Sequence, residues 1–325
     1  MNNDLHWGLL STAGISREVI PPLKKSPRNR LVAVASRELA KSKAFAAKWE
    51  IEEAFGSYEE LLADPDIDII YNPLPNALHA EWTIKALEAG KHVLCEKPLA
   101  TTTQEVEAII AAVKRTGKIV EEGFMYRHSP QTLKVKELID SGKIGKVVMM
   151  HGMFSFYLAN EQDIRMDAAL GGGSIWDLGC YPISYFRYLS GMEPDRVFGY
   201  KVDGNTGVDV TFSGEMRFPG NALAQFQCSF RSSPSRQGVE VLGEEGQIII
   251  SNPFRPGPKE EIRVMKDTGM EKIEVDCGDL YAGEVENMAD AVLNQKLPLV
   301  TLEDSLNNTR VIINLLESAR SGKVI

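Results

Sequence analysis

The first 120 or so residues alternate short β-rich runs with helical patterns, and this alternation restricts the fold more than any other feature of the chain. Strand candidates are Leu5–Leu10, Leu31–Ser36, Ile67–Tyr71, His92–Cys95 and Ile119–Glu122. Between them lie helical segments at Ser16–Lys25, Glu38–Trp49, Tyr58–Ala63, Ala77–Ala89 and Thr103–Thr116. Short apolar strands separated by helices demand right-handed crossovers, which predicts an α/β domain built on a doubly wound, mostly parallel sheet.

After a helix near Gln131–Ser141 the pattern changes. Val147–Phe156, Arg196–Val202, Val208–Phe218, Ala222–Phe230, Val239–Leu242, Gln247–Ile250, Glu261–Met265 and Lys272–Val275 read as successive strands. Alternation such as Thr211-Phe-Ser-Gly-Glu-Met-Arg-Phe suits an antiparallel sheet with one packed and one wetter face. A helix at Ser174–Leu189 interrupts early, and helices at Gly283–Asn294 and Leu302–Ala319 close the chain. A length of 325 residues fits two domains. The boundary falls near residues 121–130, giving expected domains of 1–123 and 124–325.

Composition narrows the function classes. Hydrophobic residues at 43% support a sizeable core, and the net charge of −9 argues against a general nucleic-acid binder. Cys95, Cys180, Cys228 and Cys277 form no CxxC pair and read as small core residues. His6, His92, His128 and His151 show no metal-ligand spacing, so no metal is expected. The start lacks a basic stretch followed by an apolar run, and no apolar stretch reaches the roughly 18 residues of a membrane span. A cytoplasmic enzyme fits these expectations.

The first strand runs into Ser11-Thr12-Ala13-Gly14-Ile15-Ser16, a degraded G-x-G-x-x-G in which each glycine position holds another small residue. Small residues there let the backbone turn tightly toward a pyrophosphate, while the next helix offers its N–H groups and dipole. An ordinary Gly-containing turn would look much the same; its place after the first strand favours the dinucleotide reading. An acid ending the second strand would accept from ribose hydroxyls and choose NAD. Ser36 and Arg37 stand there instead, with Lys41 one turn further on. A hydroxyl and a forked guanidinium suit the extra 2′-phosphate of NADP(H).

Two further segments carry chemistry. The fifth strand ends in Glu96-Lys97-Pro98, and ligands in doubly wound sheets sit beyond the carboxyl ends of strands. Proline stops the strand from continuing and admits a cis bond. Gly171-Gly172-Gly173 then precedes a helix bearing Asp177 and Tyr181, four apart and on one face. The three glycines are expected to let the backbone pass close to a ligand. An Asp with a Tyr one turn later also reads as a hydrogen-bonded core pair.

Taken together, these residues resemble the glucose–fructose oxidoreductase, inositol dehydrogenase and MocA family. The resemblance spans the opening Trp7–Ile15, the segment Asn72-Pro73-Leu74-Pro75-Asn76-Ala77-Leu78-His79, Glu96-Lys97-Pro98, Gly123–Arg127, Gly171–Tyr181 and Tyr281-Ala282-Gly283-Glu284. It implies a Rossmann domain followed by an α+β domain with a large, mainly antiparallel, open-faced sheet that builds homodimers or homotetramers. Most of the family has histidine where Tyr181 stands. Tyrosine resembles the branch holding dihydrodiol dehydrogenase and NADP-dependent xylose dehydrogenase, which puts inositol dehydrogenase chemistry in doubt.

The resemblance implies hydride transfer between NADP(H) and a carbon of a sugar, sugar derivative or cyclic diol. Tyr181 would exchange the hydroxyl proton, Lys97 would stabilise charge on the substrate oxygen, and Asp177 would orient Lys97 or the substrate hydroxyls. An ammonium about 4 Å from a phenol contributes roughly 4 kcal/mol at an effective dielectric near 20, a ceiling of about a thousandfold on its acidity. Asn72, Pro73, Leu74, Asn76, His79, Glu96, Tyr126, Arg127 and Tyr281 are implied to approach the cofactor or substrate, with a structural role equally open for His79. Trp176 and Arg165 are candidates for shaping the substrate pocket. A turnover-free NADP sensor and a hydrolase or lyase with tightly held NAD are the competing classes. Lys97 with Tyr181 argues against the first, and Ser36-Arg37 against the second.

Overall fold

The computed structural model describes residues 4–325 and resolves them into two compact units. One comprises residues up to Met125 together with Tyr281–Leu306; the other comprises Tyr126–Leu280 and Asn307–Ile325.

In the first unit the chain runs β1 (Leu5–Leu10), α1 (Ser16–Lys25), β2 (Asn29–Ala35), α2 (Leu39–Trp49), β3 (Glu53–Phe55), α3 (Tyr58–Ala63), β4 (Ile69–Asn72), α4 (His79–Glu88), β5 (His92–Glu96), α5 (Thr103–Thr116) and β6 (Val120–Gly123). The six strands form one parallel sheet in the order β3-β2-β1-β4-β5-β6. The strand order reverses between β1 and β4, and a doubly wound sheet offers its ligand crevice at that point. Local chemistry sets the helix ends. Thr102 and Glu105 make a capping box on α5, whose far end is closed by left-handed Gly117. The three-residue β3 is too short to show periodicity and has no counterpart among the strands expected from the sequence.

The second unit holds α6 (Pro130–Asp140), β7 (Val147–Tyr157), α7 (Cys180–Ser190), β8 (Arg196–Asp203), β9 (Asp209–Arg217), β10 (Leu223–Ser229), β11 (Arg231–Gly243), β12 (Gly246–Ile250), β13 (Lys259–Lys266) and β14 (Gly269–Asp276). Its eight-stranded sheet has the order β14-β13-β12-β11-β7-β10-β9-β8. Only the β7–β10 pair is parallel; every other neighbouring pair is antiparallel. Along β10, Ala224, Phe226 and Cys228 are buried while Leu223, Gln225 and Gln227 are exposed, the alternation of a sheet covered on one face. β11 extends well before the apolar run Val239–Leu242, because its polar first half pairs with β7. Neighbours rather than propensity decide such a segment.

Two helices close the chain, α8 (Ala282–Asn294) and α9 (Leu302–Ser321). The sequence pattern puts everything beyond residue 123 in the second domain, yet α8 and the start of α9 belong to the first unit. Arg28 explains part of this, since its guanidinium pairs with both Glu286 and Asp290 of α8. Val300 adds a backbone N–H that donates 3.3 Å to the buried Glu121 carboxylate. All four cysteines are buried and free. Among the described residues no helix is long and apolar enough to cross a membrane.

Candidate active site

At the carboxyl end of β1 the backbone turns through Ser11, whose φ is +74°. This is the position where the dinucleotide turn ordinarily holds glycine, and a non-glycine residue held left-handed costs about 1–2 kcal/mol. The Ser11 N–H donates to the Ala35 carbonyl at 2.9 Å, tying the turn to β2. No side chain caps the start of α1. Ser16 opens that helix fully buried, and its Oγ has no hydrogen-bond partner among the described residues. An uncapped helix N-terminus behind small side chains, with an unsatisfied buried hydroxyl beside it, fits a pyrophosphate.

The end of β2 presents Ser36 and Arg37. The Ser36 Oγ accepts from the Glu38 N–H at 3.4 Å. Lys41 is already engaged, its ammonium 2.6 Å from the Glu38 carboxylate on the open surface. Among the described residues no carboxylate pairs with the exposed Arg37 guanidinium. An exposed pair such as Lys41–Glu38 is worth at most about 1 kcal/mol, so Lys41 can change partner cheaply. Arg37 needs no exchange at all.

Beyond β4 and β5 two loops lie side by side. The buried Asn72 amide donates to the His79 carbonyl and to Thr83 Oγ1, both at 3.2 Å, while its oxygen accepts from the Leu74 N–H at 3.3 Å. Its side chain therefore shapes the loop. His79 is 1% exposed, with Nδ1 2.7 Å from the Pro98 carbonyl and Nε2 2.6 Å from the Leu74 carbonyl. Both nitrogens thus face backbone carbonyls of the fold itself. Burial pushes its titration down to about 4, against the pull of the two carbonyls.

The Lys97–Pro98 bond is cis, and both Glu96 and Lys97 are partly exposed. The Leu99 N–H donates 2.8 Å to the buried Glu122 carboxylate, holding the turn from β6. Tyr71 donates its hydroxyl to Glu96 at 2.6 Å. Behind Glu96 sits Glu284 of α8, fully buried, with neither carboxylate oxygen hydrogen-bonded among the described residues. Burial raises its pKa well above the ordinary range, reinforced by the negative charges of Glu96 and Glu121. Tyr281, one turn earlier at the start of α8, is also buried.

Tyr71, Glu122 and Glu284 carry no role that the sequence pattern alone discloses. Glu284 falls within a family-like motif, whereas acids at strand ends look like surface residues until their burial is known.

In the second unit the glycine run has a different reason from the one expected. A Cβ on Gly172 would lie 2.4 Å from the Arg165 carbonyl oxygen, and one on Gly173 2.4 Å from Asp209 Oδ1. The close approach is to the chain's own backbone and to Asp209, so no ligand is needed to explain these glycines. Buried Asp209 accepts from Ser174 Oγ at 2.6 Å and from the Ile175 N–H at 2.8 Å, anchoring the segment that follows. That segment, Ile175–Gly179, is a π-turn leading into α7, a rare form found often at functional positions.

Asp177 accepts from Arg165 Nε at 3.0 Å, and the Asp177 charge is the largest influence raising the guanidinium's pKa. Trp176 is buried. Tyr181 is 5% exposed in an aromatic cluster, its ring centroid 5.7 Å from Tyr126, 5.3 Å from Phe154 and 5.7 Å from Phe254. Arg127 stacks 4.0 Å over Tyr188 and places Nη1 3.5 Å from Ser184 Oγ. Phe154, Phe254 and Asp209 have no local signal, because aromatics and single acids on strands and loops default to packing.

These features define a class: a dinucleotide-binding parallel sheet joined to a unit with a large mixed sheet. The chain belongs to the GFO/IDH/MocA oxidoreductase family. Residues 5–124 match that family's oxidoreductase NAD-binding Rossmann fold, and residues 132–249 match its C-terminal domain. The chain is 37% identical over 323 residues to D-xylose 1-dehydrogenase (NADP(+)) 2 of Haloferax volcanii, covering 98% of each. It is 32% identical over 252 residues to trans-1,2-dihydrobenzene-1,2-diol dehydrogenase of Sus scrofa, covering 77% of this chain and 75% of that one. A solved 3-ketoreductase from Actinomadura kijaniata, in complex with NADP and TDP-benzene, superposes with a TM-score of 0.92 at 29% identity, covering 97% and 98% of the two chains.

Proposed function

We propose that this oxidoreductase uses NADP(H) to move a hydride to or from a carbon of a sugar, sugar derivative or cyclic diol. The observation that carries the reading is the end of β2, where Ser36 and an Arg37 without a carboxylate partner among the described residues stand in place of an acid. The named activities of the xylose dehydrogenase, the dihydrodiol dehydrogenase and the ketoreductase support it.

Ser11, Thr12, Ala13, Gly14 and Ile15 would hold the pyrophosphate, and Ser36, Arg37 and Lys41 the 2′-phosphate. The loop Pro73, Leu74 and Asn76, with Glu96, Lys97, Tyr126, Arg127 and Tyr281, completes the proposed cofactor and substrate contacts. When bound, the nicotinamide supplies the hydride acceptor or donor. Lys97 stabilises negative charge on the substrate oxygen, and Tyr181 takes that oxygen's proton in oxidation or returns it in reduction. Asp177, which accepts from Arg165, would orient Lys97 or the substrate hydroxyls. The first unit, residues up to Met125 with Tyr281–Leu306, would bind the dinucleotide, and the second would bind substrate and assemble a homodimer or homotetramer through the exposed sheet face. A cytoplasmic location fits the reading.

The test is an activity screen with NADP+ and NADPH across aldoses, ketosugars, nucleotide sugars and cyclic diols. Turnover with one of these classes and NADP(H) is expected. Equal or better turnover with NAD(H) throughout would remove the cofactor assignment.

A further inference from the structure

We propose that Arg165 is a specificity-determining residue that reads the hydroxyl beside the reacting carbon, and so selects neutral vicinal diols over substrates that carry an anion there. The inference rests on the reading that Asp177 meets the substrate. It adds the group that stands next to Asp177 and the substrate class this group fits.

Backbone geometry joins the two residues. The Gly173 N–H donates to the Arg165 carbonyl at 2.9 Å, and the Gly173 carbonyl accepts from the Asp177 N–H at 3.1 Å. A Cβ on Gly172 would lie 2.4 Å from the same Arg165 oxygen. On its other side the Arg165 N–H donates to Asp163 Oδ1 at 3.0 Å. Both main-chain groups of Arg165 are therefore fixed, and the glycine run is what admits the close approach. A solvated surface arginine needs no such seat.

The side chain is fixed as well. Nε donates to Asp177 Oδ2 at 3.0 Å and Nη1 to Asp163 Oδ1 at 3.1 Å. A guanidinium has five N–H donors, so three are left over, including the pair on Nη2. Nη2 has no partner among the described residues. With 43% of the side chain exposed, these donors are open to a ligand.

Charge decides which ligand they suit. Asp163 and Asp177 both face the single positive charge, and both raise the guanidinium's pKa. The three groups together are net negative, a poor receptor for a phosphate or carboxylate. A hydroxyl oxygen accepts a hydrogen bond without bringing charge. Arg37 is the opposite case, because no carboxylate among the described residues pairs with it.

The test compares the parent enzyme with Arg165→Met on substrates that differ in one group. One set is D-glucose, 2-deoxy-D-glucose and D-glucuronate; the other is trans-1,2-cyclohexanediol, cyclohexanol and 2-hydroxycyclohexanecarboxylate. The set whose neutral diol the parent turns over faster with NADP(H) is used. The parent is expected to favour the diol over the analogue lacking the neighbouring hydroxyl by about 10–100-fold in kcat/KM, the worth of one hydrogen bond to a charged group. In R165M the diol loses that factor through KM, with kcat within about threefold, and the analogue changes less than about threefold. The carboxylate substrate loses no more than the diol does.

A merely structural Arg165 would lower the melting temperature and slow all three substrates alike, which overturns the proposal. A loss greatest on the carboxylate substrate also overturns it, since Arg165 would then hold an anion. Should R165M not fold, Arg165→Lys keeps the charge and gives up the fork. R165K is expected to lose at least about fivefold of the preference for the diol, and an unchanged preference overturns the proposal. Turnover of neither neutral diol by the parent overturns the substrate class, while the wider reading is judged on the remaining sugars of the screen. If the parent turns over a diol and R165M keeps its preference, the inference is wrong and that reading stands.

Discussion

Replacing Glu284 by Gln should stabilise the protein at neutral and alkaline pH and have no such effect near pH 4. Glu284 is completely buried behind Glu96, and neither of its oxygens is hydrogen-bonded among the described residues. Burial, aided by the charges of Glu96 and Glu121, raises its folded pKa well above 4.5. An unfolded chain ionises this carboxyl from about pH 4.5 upward, while the folded protein keeps it protonated. Folding therefore takes up a proton. The stability held with the neutral acid is intact below the unfolded pKa and falls by about 1.4 kcal/mol per pH unit until the folded pKa is reached.

The glutamine of E284Q has nearly the same shape and no proton to lose. At pH 7 the span from 4.5 sets a ceiling of about 3 kcal/mol on the advantage of E284Q. For units of this size that corresponds to a Tm gain of at most about 12 °C, at roughly 2–4 °C per kcal/mol. The assay is thermal unfolding of both proteins at pH 5, 6, 7 and 8, read as the difference in Tm. A widening gap is expected. Parallel curves, or an E284Q protein that loses ground as pH rises, would show that Glu284 is ionised and compensated in the folded state.

Tyr181→Phe should bind NADPH normally by fluorescence titration and lose at least about 100-fold in turnover; unchanged turnover would remove Tyr181 from the mechanism. Arg37→Ala should weaken NADP(H) by about 10–100-fold, the worth of a charge-assisted hydrogen bond, and leave NAD(H) affinity within about twofold. Equal losses for both dinucleotides would mean that Arg37 does not read the extra phosphate. Gly173→Ala puts a Cβ 2.4 Å from Asp209 Oδ1 at a φ of +124°, so a loss of about 2–4 kcal/mol is expected in denaturant unfolding. An unchanged midpoint would show that Asp209 can move aside.

Periodicity and turn chemistry act over a few neighbouring residues, so the sequence by itself determines much of this protein. Leu5–Leu10 is apolar apart from His6 and runs into small residues, so its strand, its turn and the helix Ser16–Lys25 appear where the pattern puts them. Thr102 with Glu105 and Gly117 bound Thr103–Thr116 in the same way. Ser36-Arg37 and Glu96-Lys97-Pro98 were legible as well, because strand ends in a parallel sheet fall on one edge.

Tertiary contact decided the rest. Nothing in Tyr281–Leu306 announces that it packs with the first unit, since the partners of Glu286 and Val300 lie far back in the chain, at Arg28 and Glu121. The same holds for the parallel seam between β7 and β10, for Asp177 finding Arg165, and for the glycine run yielding to Asp209. Whether an acid or a histidine is solvated, ion-paired or buried depends on what the fold brings around it. Hence His79 and Glu284 took on physical meaning only once their surroundings were known.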